Sequence, residues 1–333
     1  MQKKTVAFSK NSSNLFFHIL TKCNLSCKHC YINKDQHGDK TLDIETIKNW
    51  LKLFLNEKQN TNIIFLGGEP TLHPDLDKAV KYARNKGFKS ITIDTNGYLF
   101  HNILDKITKD EVDFISFSLD GATKKTNDSI RGQGSYDQCL AGIKKAVSKK
   151  FSTSMIYTVS KDNIDELGLM PDLIKNFGID RFFIQVIGLR GKSSKPSSDS
   201  SQVSKDKWLS IVPEVAEKIA EQGIIVTYPK VFLNHDEKFE CAANVSKNFF
   251  IFPNGRVYQC PLCEDFPLHS FTIKNNQLIK TPKINEKHLF SLSIPEGCVM
   301  NKLIQPDNLN YDQNNTPEYK IACCMLKNEI SLN

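Results

Sequence analysis

The chain has 333 residues, 40% hydrophobic and 24% charged, with a formal net charge of +7. That length suits one large α/β domain plus a smaller appendage, and the composition is ordinary for a soluble globular protein. The longest early apolar run, residues 15–20, is far too short to span a membrane, no secretion signal follows the N-terminal lysines, and the basic residues are dispersed, so neither a membrane nor a nucleic-acid partner is expected and the setting is read as cytoplasmic.

In chain order, "NLFFHIL" (14–20) reads as a strand running into a cysteine-rich loop. "LDIETIKNWLKLFLNEK" (42–58) has apolar residues at helical spacing, with Thr41 or Asp43 available as a cap. "NIIFL" (62–66) reads as a strand buried on both faces, ending in Gly-Gly. A helix over 75–87 closes at Gly87, and strands follow at "SITIDTNG" (90–97) and "VDFISFSLDG" (112–121). A helix over 136–150, a strand at 152–160, a helix over 164–178 and a strand at 181–188 complete the series. Six strands alternating with helices predict a parallel sheet with right-handed crossovers. Six units are too few for a full eight-fold barrel, so the expected fold class is α/β, a partial (β/α)6 TIM-like barrel spanning 1–190. Its chemistry is expected at the C-terminal strand ends. The Ser/Lys-rich stretch 191–206 reads as a linker or loop, and 207–333 as a small cysteine-rich C-terminal domain. That domain opens with a helix over 207–223, in which Pro213 is tolerable only near the first turn or at a kink, followed by a strand at 224–229.

Ten cysteines in a reducing compartment point to metal binding or catalysis before disulfides. Cys23, Cys27 and Cys30 are spaced C-x3-C-x2-C on one loop, so their thiolates can hold three corners of a cubane iron–sulfur cluster and leave one iron open to a small chelator. A zinc site closed by His29 or His37 is the alternative on spacing alone. At the next strand end stands Gly67-Gly68-Glu69-Pro70, where two glycines permit close backbone approach and Glu69 can accept from an ammonium. The two motifs in this order resemble the radical S-adenosylmethionine (radical SAM) superfamily, with His29 at a position usually aromatic.

The resemblance implies a [4Fe–4S] cluster whose open iron site is chelated by S-adenosylmethionine. It also implies reductive cleavage to a 5′-deoxyadenosyl radical and hydrogen abstraction from a substrate. By the same likeness Gly67, Gly68 and Glu69 would hold the methionine amine, Ser118 and Arg131 would meet ribose and carboxylate, Asn96 lies on the same rim, and backbone near Val186 would meet adenine. For Asn96 and Asp120 plain turn chemistry remains an alternative. Cys139 lies on an apolar helix face and reads as a small buried hydrophobe.

Six thiols remain, Cys241, Cys260, Cys263, Cys298, Cys323 and Cys324. The run from Cys241 to Cys260 reads C-x13-G-x4-C across a Pro-Asn-Gly hairpin. It resembles the opening of the SPASM or twitch auxiliary-cluster domains of radical SAM maturases, though the later cysteine run of a full SPASM domain is absent. One auxiliary [4Fe–4S] cluster on Cys241, Cys260, Cys263 and a later cysteine, Cys298, Cys323 or Cys324, is expected, with a structural zinc knot as the alternative. Neighbouring side chains on extended backbone point apart, so Cys323 and Cys324 are not expected to serve one cluster together. The resemblance further implies a peptide or small-molecule substrate and an electron donor such as flavodoxin or ferredoxin. Peptide or protein modification leads, a small-molecule dehydrogenase or molybdenum-cofactor-type cyclase is the enzymatic alternative, and an Fe–S or zinc-binding scaffold is the non-enzymatic one. With 22 residues before Cys23, no N-terminal leader-binding domain is expected, so a separate leader-binding protein or a small-molecule substrate stays open. No residue presents itself as a catalytic base.

Overall fold

The structure, a computed structural model, describes residues 1–6, 11–55, 60–194 and 201–332. Its strands are β1 (Gln2–Val6), β2 (Ser12–His18), β3 (Asn60–Leu66), β4 (Ser90–Thr95), β5 (Phe114–Ser118), β6 (Thr153–Val159), β7 (Arg181–Val186), β8 (Ile225–Pro229), β9 (Phe232–Leu233), β10 (Lys247–Ile251), β11 (Arg256–Tyr258), β12 (Phe271–Lys274), β13 (Gln277–Lys280), β14 (Lys320–Ile321) and β15 (Lys327–Ser331). β2 to β7 are the six expected strands, and each neighbouring pair among them is parallel. The fold is a partial TIM-like barrel of α/β class.

The parallel run is longer than expected at both ends. β8 adds parallel to β7 after the helix Lys205–Ala220 crosses over, and β10 adds parallel to β2. Antiparallel strands continue it, β11, β12 and β13 beyond β10 and β15 and β1 beyond β8. The Pro-Asn-Gly hairpin is thus β10–β11, and strands from both sides of residue 206 share one sheet. Of the expected linker, residues 195–200 lie outside the described residues. Its ends pack down: Gly191 N–H and Lys192 N–H donate to Asp265 and to Cys30 O, and Ser193 and Val203 are buried.

Helices seal the outer face with apolar residues one turn apart: Ile47, Trp50 and Leu51 of Ile44–Lys52, Leu76, Ala79, Val80 and Ala83 of Leu76–Asn85, and Cys139, Ile143 and Ala146 of Ser135–Ser148. Asp43 caps the first, accepting from Thr46 N–H at 2.8 Å. That helix is shorter than the sequence pattern suggests, and 56–59 lie outside the described residues. The expected helix over 164–178 is a 3-10 turn, Ile164–Leu169, followed by a short helix, Met170–Ile174, because Gly168 and Pro171 break it. Pro213 sits well inside Lys205–Ala220 rather than in its first turn, and the helix is held through it by buried Trp208, Val212, Val215, Ala216, Ile219 and Ala220. β3 is not sealed on both faces. Ile63 and Phe65 are buried under helices, whereas Ile64 and Leu66 are half-buried, because the inner face borders an open chamber.

Candidate cofactor and substrate site

The C-terminal strand ends enclose one cavity of about 360 Å³. Every residue that the sequence placed on the rim lines it: Cys23, Cys27, His29 and Cys30 after β2, Gly67, Gly68 and Glu69 after β3, Asn96 after β4, Ser118 at the end of β5, Arg131 from the helix Lys124–Arg131, and Val186 at the end of β7.

The glycines dock the end of β3 onto the cysteine loop. Gly68 N–H donates to Leu20 O at 3.1 Å and Glu69 N–H to Lys22 O at 3.0 Å. A Cβ at Gly67, where φ is +155°, would lie 2.4 Å from Leu20 O, and one at Gly68 2.2 Å from Lys22 O. No larger residue fits either place. The Glu69 carboxylate is fully engaged: Oε1 accepts from Thr71 N–H, Thr71 Oγ1 and Thr95 Oγ1, and Oε2 from Asn96 N–H at 2.7 Å. Burial pushes its carboxyl up. Its role in the fold is to tie the ends of β3 and β4 together.

The cysteine loop is held at several points. Leu25 N–H donates to Cys23 Sγ at 3.3 Å, Asn96 Nδ2 to Asn24 Oδ1 at 2.8 Å, and Lys28 N–H to Ile130 O at 2.8 Å. His29 Nε2 lies 3.0 Å from Asp120 Oδ2, and Arg131 Nε lies 2.5 Å from the same oxygen, as ion-pair contacts rather than aligned hydrogen bonds. Burial pushes Asp120 up, but Arg131 and then His29 outweigh it and hold the carboxyl at about 2. Asp120 is therefore more than a turn residue. The Nη nitrogens of Arg131 have no protein acceptor among the described residues, and His29 Nδ1 is buried without a partner. Burial pushes Cys23 up to about 12 and raises Cys27, against the pull of Arg131. A metal binding there displaces thiol protons.

His37 is not free to close a zinc site. Its Nδ1 accepts from Asn33 N–H at 3.1 Å, its Nε2 lies 3.1 Å from Glu264 O, and its ring stacks on Phe252 at 3.8 Å. Among the described residues no three His, Cys, Asp or Glu side chains converge on one point as ligands of a single ion. Three thiols from one loop bordering a chamber with open polar groups fit a cluster that leaves one iron to a small ligand.

Five later thiols gather beyond the chamber. The neighbouring Cys323 thiol, with burial, raises Cys241, and the neighbouring Cys263 thiol, with burial, raises Cys260. Burial raises Cys298, which also feels Cys260, Cys323 and Cys241. Cys324 instead lines the chamber, although Cys323 also contacts it. Glu286, which the sequence did not single out, shapes the turn at Cys260: Oε1 accepts from Gln259 N–H, Ser270 N–H and Ser270 Oγ, and Oε2 from Cys260 N–H. Cys139 is 1% exposed in the core, where burial pushes it up to about 12. Sequence reasoning also missed Asp94, Arg190, Glu264 and Lys327 on the chamber wall. The carboxylate in "SITIDTNG", on an inward position of an apolar strand, was a signal for Asp94.

A family model described as the Radical SAM superfamily matches residues 18–191. Among curated relatives, Fe-coproporphyrin III synthase of Methanosarcina barkeri is 29% identical over 221 residues, 65% of this chain and 55% of that protein. Pre-heme d1 synthase of Dinoroseobacter shibae is 26% identical over 196 residues, 58% of this chain and 48% of that protein. The chain thus spans about half the length of these two relatives. The fold matches Streptococcus suis SuiB bound to precursor peptide SuiA with a TM-score of 0.65 at 16% identity, over 90% of this chain and 66% of that one.

Proposed function

Since the chain belongs to the radical SAM superfamily, whose enzymes use a [4Fe–4S] cluster and S-adenosylmethionine, we propose that Cys23, Cys27 and Cys30 hold such a cluster and that the adjoining chamber receives a substrate for hydrogen abstraction. When bound, the cluster and S-adenosylmethionine together supply a 5′-deoxyadenosyl radical. The observation that carries the reading is that the three thiols and all eight proposed cofactor contacts border one cavity.

Within it the chain's own residues divide the work. The open Nη nitrogens of Arg131 suit a carboxylate, with Asp120 fixing the guanidinium through Nε. Backbone at Gly67 and Gly68 and the oxygens of Ser118 and Asn96 offer partners to ammonium and hydroxyl groups, and backbone near Val186 lies where a purine would rest. Leu25, Ile156, Ile184, Ile187 and Leu262 line the rest and keep water from a reactive carbon. Cys241, Cys260, Cys263 and either Cys298 or Cys323 would hold an auxiliary cluster.

For the substrate, modification of a peptide or protein is the leading reading, supported by fold likeness over most of the chain to a protein solved with its precursor peptide. A small-molecule substrate is the second reading, favoured by relatives named as synthases of haem-type compounds. A flavodoxin or ferredoxin would deliver the electron, in a cytoplasmic setting that keeps ten thiols reduced. Among the described residues no helix is long and apolar enough to cross a membrane. The test is anaerobic reconstitution followed by S-adenosylmethionine and dithionite. The reading expects 5′-deoxyadenosine, and a fully reconstituted protein that forms none refutes it.

A further inference from the structure

The charged side chains that line the chamber are mostly spoken for. Glu69 accepts from four protein donors. Arg190 Nη1 pairs with Glu264 at 2.5 Å and donates to Pro261 O at 2.9 Å, and its guanidinium lies 4.6 Å from the Tyr31 ring. Arg131 is held by Asp120 and faces the cysteine loop. Lys327, at the start of β15, differs. Among the described residues its ammonium has no hydrogen-bond acceptor and no ion pair; it lies 5.7 Å from the Phe183 ring and feels the Cys324 thiol and Asp94. Asp94, opposite Ser116 of β5 in the β4–β5 register, has no ion pair among the described residues and feels the Ser116 hydroxyl, Glu69 and Lys327.

We propose that Lys327, in the chamber that Asp94 also lines, is the anchoring point for a carboxylate carried by the substrate. The inference rests on reading the cavity as a substrate chamber and names the chemical class that the chamber takes.

The physical argument is charge balance. A half-buried ammonium on a cavity wall without a counterion is costly, and a bound anion reduces that cost. Burial accordingly pushes Lys327 down, and it pushes Asp94 up to about 7. A protonated Asp94 can donate to one oxygen of a carboxylate while Lys327 takes the other. The Lys327 ammonium balances a monoanion, whereas a second negative charge, as on phosphate, meets the Glu69 carboxylate that lines the same chamber.

The test uses the anaerobic holoenzyme and the uncharged reagents formaldehyde and dimethylamine–borane, with methylation at each lysine read by peptide mass spectrometry. Propionate is expected to slow methylation of Lys327 about tenfold, because an amine held as ammonium in a charge-assisted pair is not nucleophilic. Propionamide should leave it unchanged, other lysines should not respond, and inorganic phosphate should protect less than propionate. Asp94→Ala should weaken protection by propionate, whereas Asp94→Asn, which keeps a neutral donor, should retain it. Equal methylation with and without propionate overturns the proposal, and so does a Lys327 sealed from the reagent, since it offers no site. Protection by propionamide as strong as by propionate, or stronger protection by phosphate, overturns the carboxylate assignment. 5′-Deoxyadenosine measured on the same preparation separates the two readings. Its formation without protection sinks the anchoring site alone, and protection without it sinks the radical chemistry alone.

Discussion

Replacing Asp120 by Asn tests how the cysteine loop is held. Asp120 is 0% exposed, and its Oδ2 faces both Arg131 Nε and His29 Nε2. The amide keeps an oxygen for Thr158 N–H, which donates to Oδ1 at 2.7 Å, but it turns an NH2 group toward two other donors. Breaking a buried ion pair from one side costs about 3–5 kcal/mol, because the remaining charge stays buried. The carboxyl's own titration gives a compatible scale. Its drop from the ordinary 3.8 to about 2 is worth about 2 kcal/mol. The sign follows from a depressed folded value: this stabilisation is fully present above about pH 4 and is lost as pH falls through about 2. Asp120→Asn should therefore melt roughly 5–10 °C below wild type near neutral pH. Because His29 stands between Cys27 and Cys30, the variant should also retain less iron after desalting. Asp137→Asn, which removes an exposed ion pair with Lys124, is the control and should shift melting by no more than about a degree. An Asp120→Asn protein that melts with wild type and keeps its iron would refute the reasoning.

Gly68→Ala should lower melting and iron content together, because its Cβ would lie 2.2 Å from Lys22 O, whereas Gly168→Ala, with nothing within 4 Å, should change neither; thermal melts and iron assays of the pair decide it. Cys27→Ala should abolish formation of 5′-deoxyadenosine, and full retention of that product would remove Cys27 from the cluster. Cys260→Ala should lower iron per chain while sparing cleavage of S-adenosylmethionine; unchanged iron would remove Cys260 from the auxiliary site. Glu286→Gln should also lower iron per chain in that region, because Glu286 holds the backbone N–H groups of Gln259 and Cys260, and a wild-type iron content would assign it a purely structural role.

The parts of this architecture visible in the sequence were those with local signatures. Alternating apolar runs and helical periodicity marked β2 to β7, and the unusual loops at their ends marked the rim that the cavity now joins. Pairing between distant segments left no such mark. Nothing local in "FFI" announces that β10 lies parallel to β2, or that β15 pairs with β1 at the opposite edge. Lone charges on polar stretches were equally silent. Lys327 reads as an ordinary surface lysine until the fold turns it inward, and Glu286 has no motif around it. Glu69 was legible as a rim residue, but its four donors come from two separate segments, Thr71 after β3 and Thr95–Asn96 at the end of β4, and appear only once β3 and β4 are adjacent.

Electron paramagnetic resonance of the dithionite-reduced protein, recorded with and without S-adenosylmethionine, bears most directly on the cluster assignment. A signal of a reduced iron–sulfur cluster that changes when S-adenosylmethionine is added, and is missing from Cys27→Ala, is the predicted result. A colourless protein that carries zinc at Cys23, Cys27 and Cys30 and shows no such signal would contradict it.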